Sequence, residues 1–251
     1  MIVNKKRLLG ILLASVIFIV TGMIGFASTY YFNKLFNNFS SSTSSLWKSE
    51  KESSFSDLPM TDYVAIVKIE GEILEGDIST SFVNNVGYNH QDTMKYIDTL
   101  KDDTYNKGIL LYLNSPGGTV YAADELYNKI LEYKEITGRP VWAQMASYAC
   151  SGAYYIAVGA DKIYANKNTM TGSIGVIMQT YDYSGLFDKI GIKEETIIAG
   201  ENKAMGSAGQ KMTDNQHNIY QSIVDEAYTD FVGVVATGRN MDVDKVKALA
   251  D

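Results

Sequence analysis

The chain alternates short apolar runs with segments of helical period, and it places glycine at the joints. The most restrictive joint follows Gly108-Ile109-Leu110-Leu111-Tyr112-Leu113, a run that reads as a buried strand ending at Asn114. It passes through Ser115-Pro116-Gly117-Gly118 into Ala122 to Tyr133, where Ala123, Leu126, Ile130 and Leu131 recur at helical spacing. A strand that turns through glycine into a helix, and does so repeatedly, commits the chain to parallel strands joined by crossover helices.

The remaining segments fit that plan. Val64 to Ile69 is a β-type run broken by Gly71, Thr93 to Leu100 a helix, and Pro140 to Met145 a third strand. A small-residue helix is expected from Ser151 to Gly159, short strands at Lys162 to Ala165 and Ser173 to Ile177, and an amphipathic helix from Asp214 to Ala236. The expected class is α/β with a largely parallel sheet, its site built from loops at the carboxyl ends of the strands.

The N-terminus constrains location. Leu8 to Ala27 is uncharged and mostly apolar, long enough to cross a hydrocarbon core of about 30 Å, and Lys5, Lys6 and Arg7 precede it. Positive charge there keeps the N-terminus cytoplasmic and sends the rest outward. A cleaved signal peptide is the rival reading, with Gly25-Phe26-Ala27 a poor match to a small-residue cleavage site. The expected organisation is a tail over 1–7, an anchor over 8–27, a Ser- and Asn-rich linker over 28–61 and a folded domain over 62–251.

Composition excludes several classes. A net charge of −7, with no basic stripe beyond the extreme N-terminus, argues against a nucleic-acid partner. One cysteine, Cys150, permits no internal disulfide, and with His90 and His217 as the only histidines a Cys/His zinc site cannot be assembled. No loop has the dense aspartate spacing of a calcium hand, so the expectation is a site without metal or cofactor.

Three segments carry chemistry. Pro116-Gly117-Gly118 is either an ordinary tight turn or one that leaves the Gly118 N–H facing a developing negative charge. Ser151, opening a helix, is either an N-cap or a nucleophile, with the Gly152 N–H as a second oxyanion donor. Such a serine needs a base. His90 falls in a Gly/Asn-rich stretch and His217 on a polar helical run, which leaves Lys203, in the small-residue stretch Gly200 to Gly209. Withdrawn from water there, its amine could accept a proton; left in water, it is a surface lysine.

Taken together, Leu113-Asn114-Ser115-Pro116-Gly117-Gly118, Cys150-Ser151-Gly152-Ala153-Tyr154-Tyr155-Ile156-Ala157, Thr171-Gly172-Ser173-Ile174-Gly175-Val176 and Lys203 resemble the signal peptide peptidase A family. These are membrane-anchored Ser–Lys peptidases on the Clp/crotonase-type fold, and the resemblance runs from about Tyr63 to Asp251. It implies Ser151 as nucleophile, Lys203 as general base, Gly118 and Gly152 as oxyanion donors, and Ser173 as the residue that orients the lysine amine. It also implies a homo-oligomer whose neighbouring protomers share active sites. The implied substrates are remnant signal peptides and other small or unfolded peptides, at the outer face of the plasma membrane.

The chain departs from the family pattern at Ala153, where a second glycine is usual, and at Cys150, where alanine is common. Cys150 as the nucleophile is a minor alternative; a small buried filler is the ordinary role. The family also continues past this C-terminus with a turn, a strand and a helix, so the expectation is a fragment. Two other readings remain: a crotonase-like acyl-CoA enzyme using the same oxyanion hole, and a membrane-bound scaffold with an inactive protease fold.

Overall fold

The computed structural model describes residues 58–76 and 88–250. The expected tail, anchor and most of the linker lie outside the described residues. Among the described residues no helix is long and apolar enough to cross a membrane.

Among the described residues five strands and six helices follow in order: β1 (Tyr63–Glu70), α1 (His90–Asp102), β2 (Asn106–Ser115), α2 (Val120–Thr137), β3 (Val141–Cys150), α3 (Gly152–Ala157), β4 (Lys162–Ala165), β5 (Met170–Gly172), α4 (Ser184–Ile190), α5 (Asp214–Arg239) and α6 (Val243–Ala250). All strand pairings are parallel, in the order β1-β2-β3-β4, with β5 pairing β3 beyond the end of β4. The α/β expectation with a parallel sheet therefore holds.

A sheet laid down in sequence order has a physical consequence. Right-handed crossovers that always step the same way leave their helices on one face. The burial pattern agrees. Ala65, Val67 and Ile69 of β1, Ile109, Leu111 and Leu113 of β2, and Val141, Ala143 and Met145 of β3 join one core with Ile97 and Leu100 of α1 and Leu126, Ile130 and Tyr133 of α2. The alternate residues Val64, Ile66 and Trp142 are 59%, 55% and 42% exposed. On that open face the Lys162 ammonium lies 5.5 Å from the Trp142 ring, and Tyr164 packs beside it.

Local chemistry sets the boundaries that matter for the site. The Thr119 hydroxyl accepts from the Ala122 N–H and starts α2; Gly138, at φ 66°, ends it in the left-handed conformation that a side chain resists. A reciprocal cap between Thr213 and Gln216 starts α5. The entry to β3 is held by Asp161, which accepts from the Val141 N–H and pairs with Lys134. β3 itself is longer than the sequence pattern predicts, running on to Cys150 because β5 gives its far end a second partner.

The expected strand at Ser173 to Ile177 does not form. The paired residues are Met170–Gly172, and Ser173, at φ 52°, turns the chain off the edge of β3. Helices α4 and α6 were not expected from the pattern.

Candidate active site

Two turns meet at the carboxyl end of the sheet. β2 and β3 are parallel neighbours with Ser115 paired to Ala149, so the turn after each strand emerges beside the other. The approach is close: a Cβ built on Gly117, at φ 109°, would lie 2.7 Å from the Ser151 Cβ and 2.9 Å from the Gly152 nitrogen. Only glycine fits there. The Gly118 nitrogen would stand 3.4 Å from a Cβ placed on Gly152. Ser151, Gly118 and Gly152 are thus brought together.

The direction of the two N–H groups follows from their peptide planes. The Ile73 N–H donates to the Gly117 carbonyl at 2.9 Å, and the Thr119 N–H donates to the Ile73 carbonyl at 2.9 Å. In a trans peptide the carbonyl and the following N–H point opposite ways. Ile73 therefore takes the Gly117 carbonyl and turns the Gly118 N–H away from itself. Likewise the Tyr155 N–H donates to the Ser151 carbonyl, which points the Gly152 N–H out of the start of α3. Among the described residues neither Gly118 nor Gly152 gives its N–H to a protein acceptor. Two free donors beside a hydroxyl are what an oxyanion hole requires.

Ser151 does not serve as a helix cap. It sits at φ 51° and ψ −123°, and its side chain makes no capping bond. Its own N–H donates to the Gly172 carbonyl at 2.8 Å, which holds the backbone in this costly conformation while the hydroxyl stays uncommitted. α3 has only 6 residues, so its macrodipole is short; the specific Gly152 N–H matters more than the dipole expected from a longer helix.

A small cavity opens beside the serine, walled by Val120, Ala123, Val176, Ala227 and Phe231 with Gly118 at its rim. Its lining is mostly apolar. A wider groove shares Val120, Tyr155 and Ala227 with it and carries Asp124 and Asp230. The Tyr155 hydroxyl donates to Asp124 at 2.8 Å, and burial together with that carboxylate pushes the phenol well above its ordinary range.

The lysine half is arranged differently. Lys203 lies in a run of turns and is exposed, and among the described residues its ammonium has no hydrogen-bond or ion-pair partner. Among the described residues the expected withdrawal from water does not occur: Tyr220 and Asn215 of α5 reach this segment at Met205 and Asn202, but the Lys203 side chain stays exposed. Lys203 is not among the residues lining the serine cavity. Ser173 is exposed and adjacent to Gly172, the residue whose carbonyl holds the Ser151 backbone.

Cys150 is half-buried rather than a core filler, and its thiol donates to the Met170 carbonyl at 3.5 Å. His90 is not in a loop: it opens α1, is 1% exposed, and meets the Tyr88 hydroxyl through Nδ1 and Glu125 through Nε2. Both ring nitrogens are occupied, so it cannot act as the base. His217 is exposed on α5. Among the described residues no group of three or more His, Cys, Asp or Glu is placed to hold a metal ion.

The sequence pattern missed Ile73 and Gly172, which act only through backbone atoms. A faint signal for the first was present in Gly71-Glu72-Ile73-Leu74, an apolar pair just past the glycine that ends β1.

Comparison with known proteins adds to this geometry. Residues 134–251 match peptidase family S49. A protein of Enterococcus faecium, provisionally named signal peptide peptidase SppA, is 42% identical over 164 residues, covering 65% of this chain and 47% of its own length. Protease 4 of Haemophilus influenzae is 32% identical over 188 residues, 74% of this chain and 29% of that protein. The chloroplastic serine protease SPPA of Arabidopsis thaliana is 30% identical over 192 residues, 75% of this chain and 28% of that protein. The chain spans about half the length of the first relative and under a third of the other two. A ClpP1 mutant from Listeria monocytogenes overlaps with a TM-score of 0.44 at 16% identity, over 74% of this chain and 78% of that one. The fold rests on the sheet order above, not on that likeness.

Proposed function

The chain belongs to the signal peptide peptidase A family, within peptidase family S49, and from that premise we propose that it is a serine endopeptidase with Ser151 as nucleophile and Lys203 as general base. The observation that carries the reading is the convergence of an uncommitted serine hydroxyl with two free backbone donors at the end of a parallel sheet.

In this reading the Ser151 hydroxyl attacks the scissile carbonyl as its proton passes to the Lys203 amine. The oxyanion forms between the Gly118 and Gly152 N–H groups, each worth about 3 kcal/mol of transition-state stabilisation. The amine returns its proton to the leaving nitrogen, and water repeats the sequence on the acyl-enzyme. Ser173 orients the amine. The cavity beside Ser151 takes a small apolar side chain of the substrate, and the groove past Tyr155 takes the neighbouring residues.

The exposed position of Lys203 supports a shared site, in which a second protomer covers the lysine segment and supplies or receives the amine. The apolar run Leu8 to Ala27 supports an anchor that holds the domain at the outer face of a plasma membrane. Remnant signal peptides and other short or unfolded peptides are then the substrates within reach.

Hydrolysis of a fluorogenic peptide and labelling by a fluorophosphonate test this, comparing wild type with Ser151→Ala and Lys203→Ala. Both variants are expected to fall to background while keeping wild-type folding and assembly. Retained hydrolysis or labelling in Ser151→Ala would remove Ser151 from the mechanism. An inert, folded and assembled wild type would favour the scaffold reading.

A further inference from the structure

Gly118 owes its place to a segment that has no role in the chemistry proposed above. After β1 the chain turns at Gly71, and Ile73 then forms an isolated parallel bridge with Gly118. The fit is tight: a Cβ on Gly118 would stand 1.9 Å from the Ile73 carbonyl oxygen. Two residues on, a Glu75 carboxylate oxygen accepts from the Thr119 hydroxyl at 2.7 Å. That hydroxyl also accepts from the Ala122 N–H at 3.3 Å, while the Thr119 N–H reaches the Ile73 carbonyl.

These bonds close a ring around one peptide unit. The Ile73 N–H orients the Gly117 carbonyl, the Ile73 carbonyl holds the Thr119 N–H, and Glu75 ties the end of the same segment to the first turn of α2. Among the described residues this is the side-chain hydrogen bond that ties the segment to the turn, beside the backbone bonds of Ile73 and its buried side chain. We propose that Glu75 is a positioning residue for the oxyanion turn, acting through Thr119 and Ile73 to fix the direction of the Gly118 N–H.

The surroundings keep the carboxylate ionised for this task. The bond from the Thr119 hydroxyl and one from the backbone hold the Glu75 carboxyl below its usual range, and His90 adds a weaker attraction. The His90 Nε2 meets a Glu125 carboxylate oxygen at 2.8 Å. A charged acceptor makes the stronger bond.

The inference rests on the peptidase reading for its catalytic consequence but not for its structural one, and the test separates them. In the full chain, Glu75→Ala, Glu75→Gln, Thr119→Val and Thr119→Ser are compared with wild type. Three readouts are taken: kcat and KM on a fluorogenic peptide, binding of a peptide boronate against a product peptide, and hydrogen exchange at the Ile73 and Thr119 amides.

Glu75→Ala and Thr119→Val are expected to lower kcat by about 10- to 30-fold with KM within about twofold. Boronate affinity should fall by the same factor while product affinity holds, because only the tetrahedral adduct uses the Gly118 N–H. Glu75→Gln and Thr119→Ser, which retain an acceptor and a donor, should recover to within about threefold of wild type. Exchange at both amides should quicken in the first pair of variants only.

Unchanged exchange in Glu75→Ala overturns the proposal whether or not the protein cuts peptides. An equal loss of boronate and product binding, or a Gln variant no better than Ala, also overturns it by reducing Glu75 to a general structural role. An inert wild type with the expected exchange pattern would instead sink the peptidase reading and leave the clasp standing.

Discussion

Around Gly118 and Ser151 the backbone is bonded at nearly every step: Gly117 to the Ser115 hydroxyl, Ile73 to Gly117, Thr119 to Ile73, Ser151 to Gly172 and Tyr155 to Ser151. From Ile174 to Asp182, on the way to the lysine, no backbone N–H among the described residues donates to a protein acceptor, and Ile177 is 88% exposed. One half of the candidate site is organised by the chain itself. The other carries its residues on a surface that the described residues leave open. In the proposed mechanism, preorganisation of the oxyanion donors and placement of the base are thus separate problems, solved by different contacts.

Substitutions can break that contrast. The largest effect is expected from Gly118→Ala, where the new methyl would strike the Ile73 backbone. Peptide hydrolysis should fall by about a thousandfold, and denaturant unfolding should show a loss of about 3 kcal/mol. Lys203→Met should cost activity by about a hundredfold or more yet leave stability within about 0.5 kcal/mol, since Lys203 is exposed and has no partner among the described residues. A coupled loss of both quantities in the lysine variant would erase the distinction.

Hydrogen exchange sharpens the same contrast without any substitution. Amides of β2 and β3 should be protected by a factor of about 10⁴ or more relative to those between Ile174 and Asp182. Equal protection would mean that the second region is held by contacts beyond one chain. Gly152→Ala is a milder probe, because its methyl would meet the Ala123 Cβ at 3.0 Å, tight but not impossible. A loss of about 1 kcal/mol in stability is expected, with activity falling about tenfold.

The smallest effect is acid-dependent. Burial raises the Asp161 carboxyl, but the bonds from Lys134 and the Val141 N–H outweigh it and hold it below the usual range. A carboxyl lowered on folding stabilises above its unfolded value, and the contribution is lost as pH falls through the folded one. Asp161→Asn should therefore cost a few degrees of Tm at neutral pH and almost nothing in strong acid, as thermal unfolding across that range would show.

Much of this was legible in the chain. The strand–glycine–helix joints announced a parallel sheet, and the joints at Gly117-Gly118 and Ser151-Gly152 marked the places where turns meet. What could not be read were partners that act through backbone atoms. Nothing in the side chain of Ile73 says that its N–H will orient a carbonyl far along the sequence, and nothing in Gly172 says that its carbonyl will hold Ser151. The strand expected at Ser173 to Ile177 failed for a related reason: its pattern is β-like, but a strand exists only with a neighbour. His90 shows the converse error, since a Gly/Asn-rich approach concealed a residue buried between Tyr88 and Glu125.

The backbone angles of Ser151 have an evolutionary corollary. A non-glycine residue held at φ 51° costs stability of order 1 kcal/mol or more, and glycine would occupy the same position with less strain. In the proposed mechanism, selection for the hydroxyl is what keeps a serine there against this strain. A lineage freed from the need to cut would drift toward glycine at 151 and grow sturdier as it fell silent.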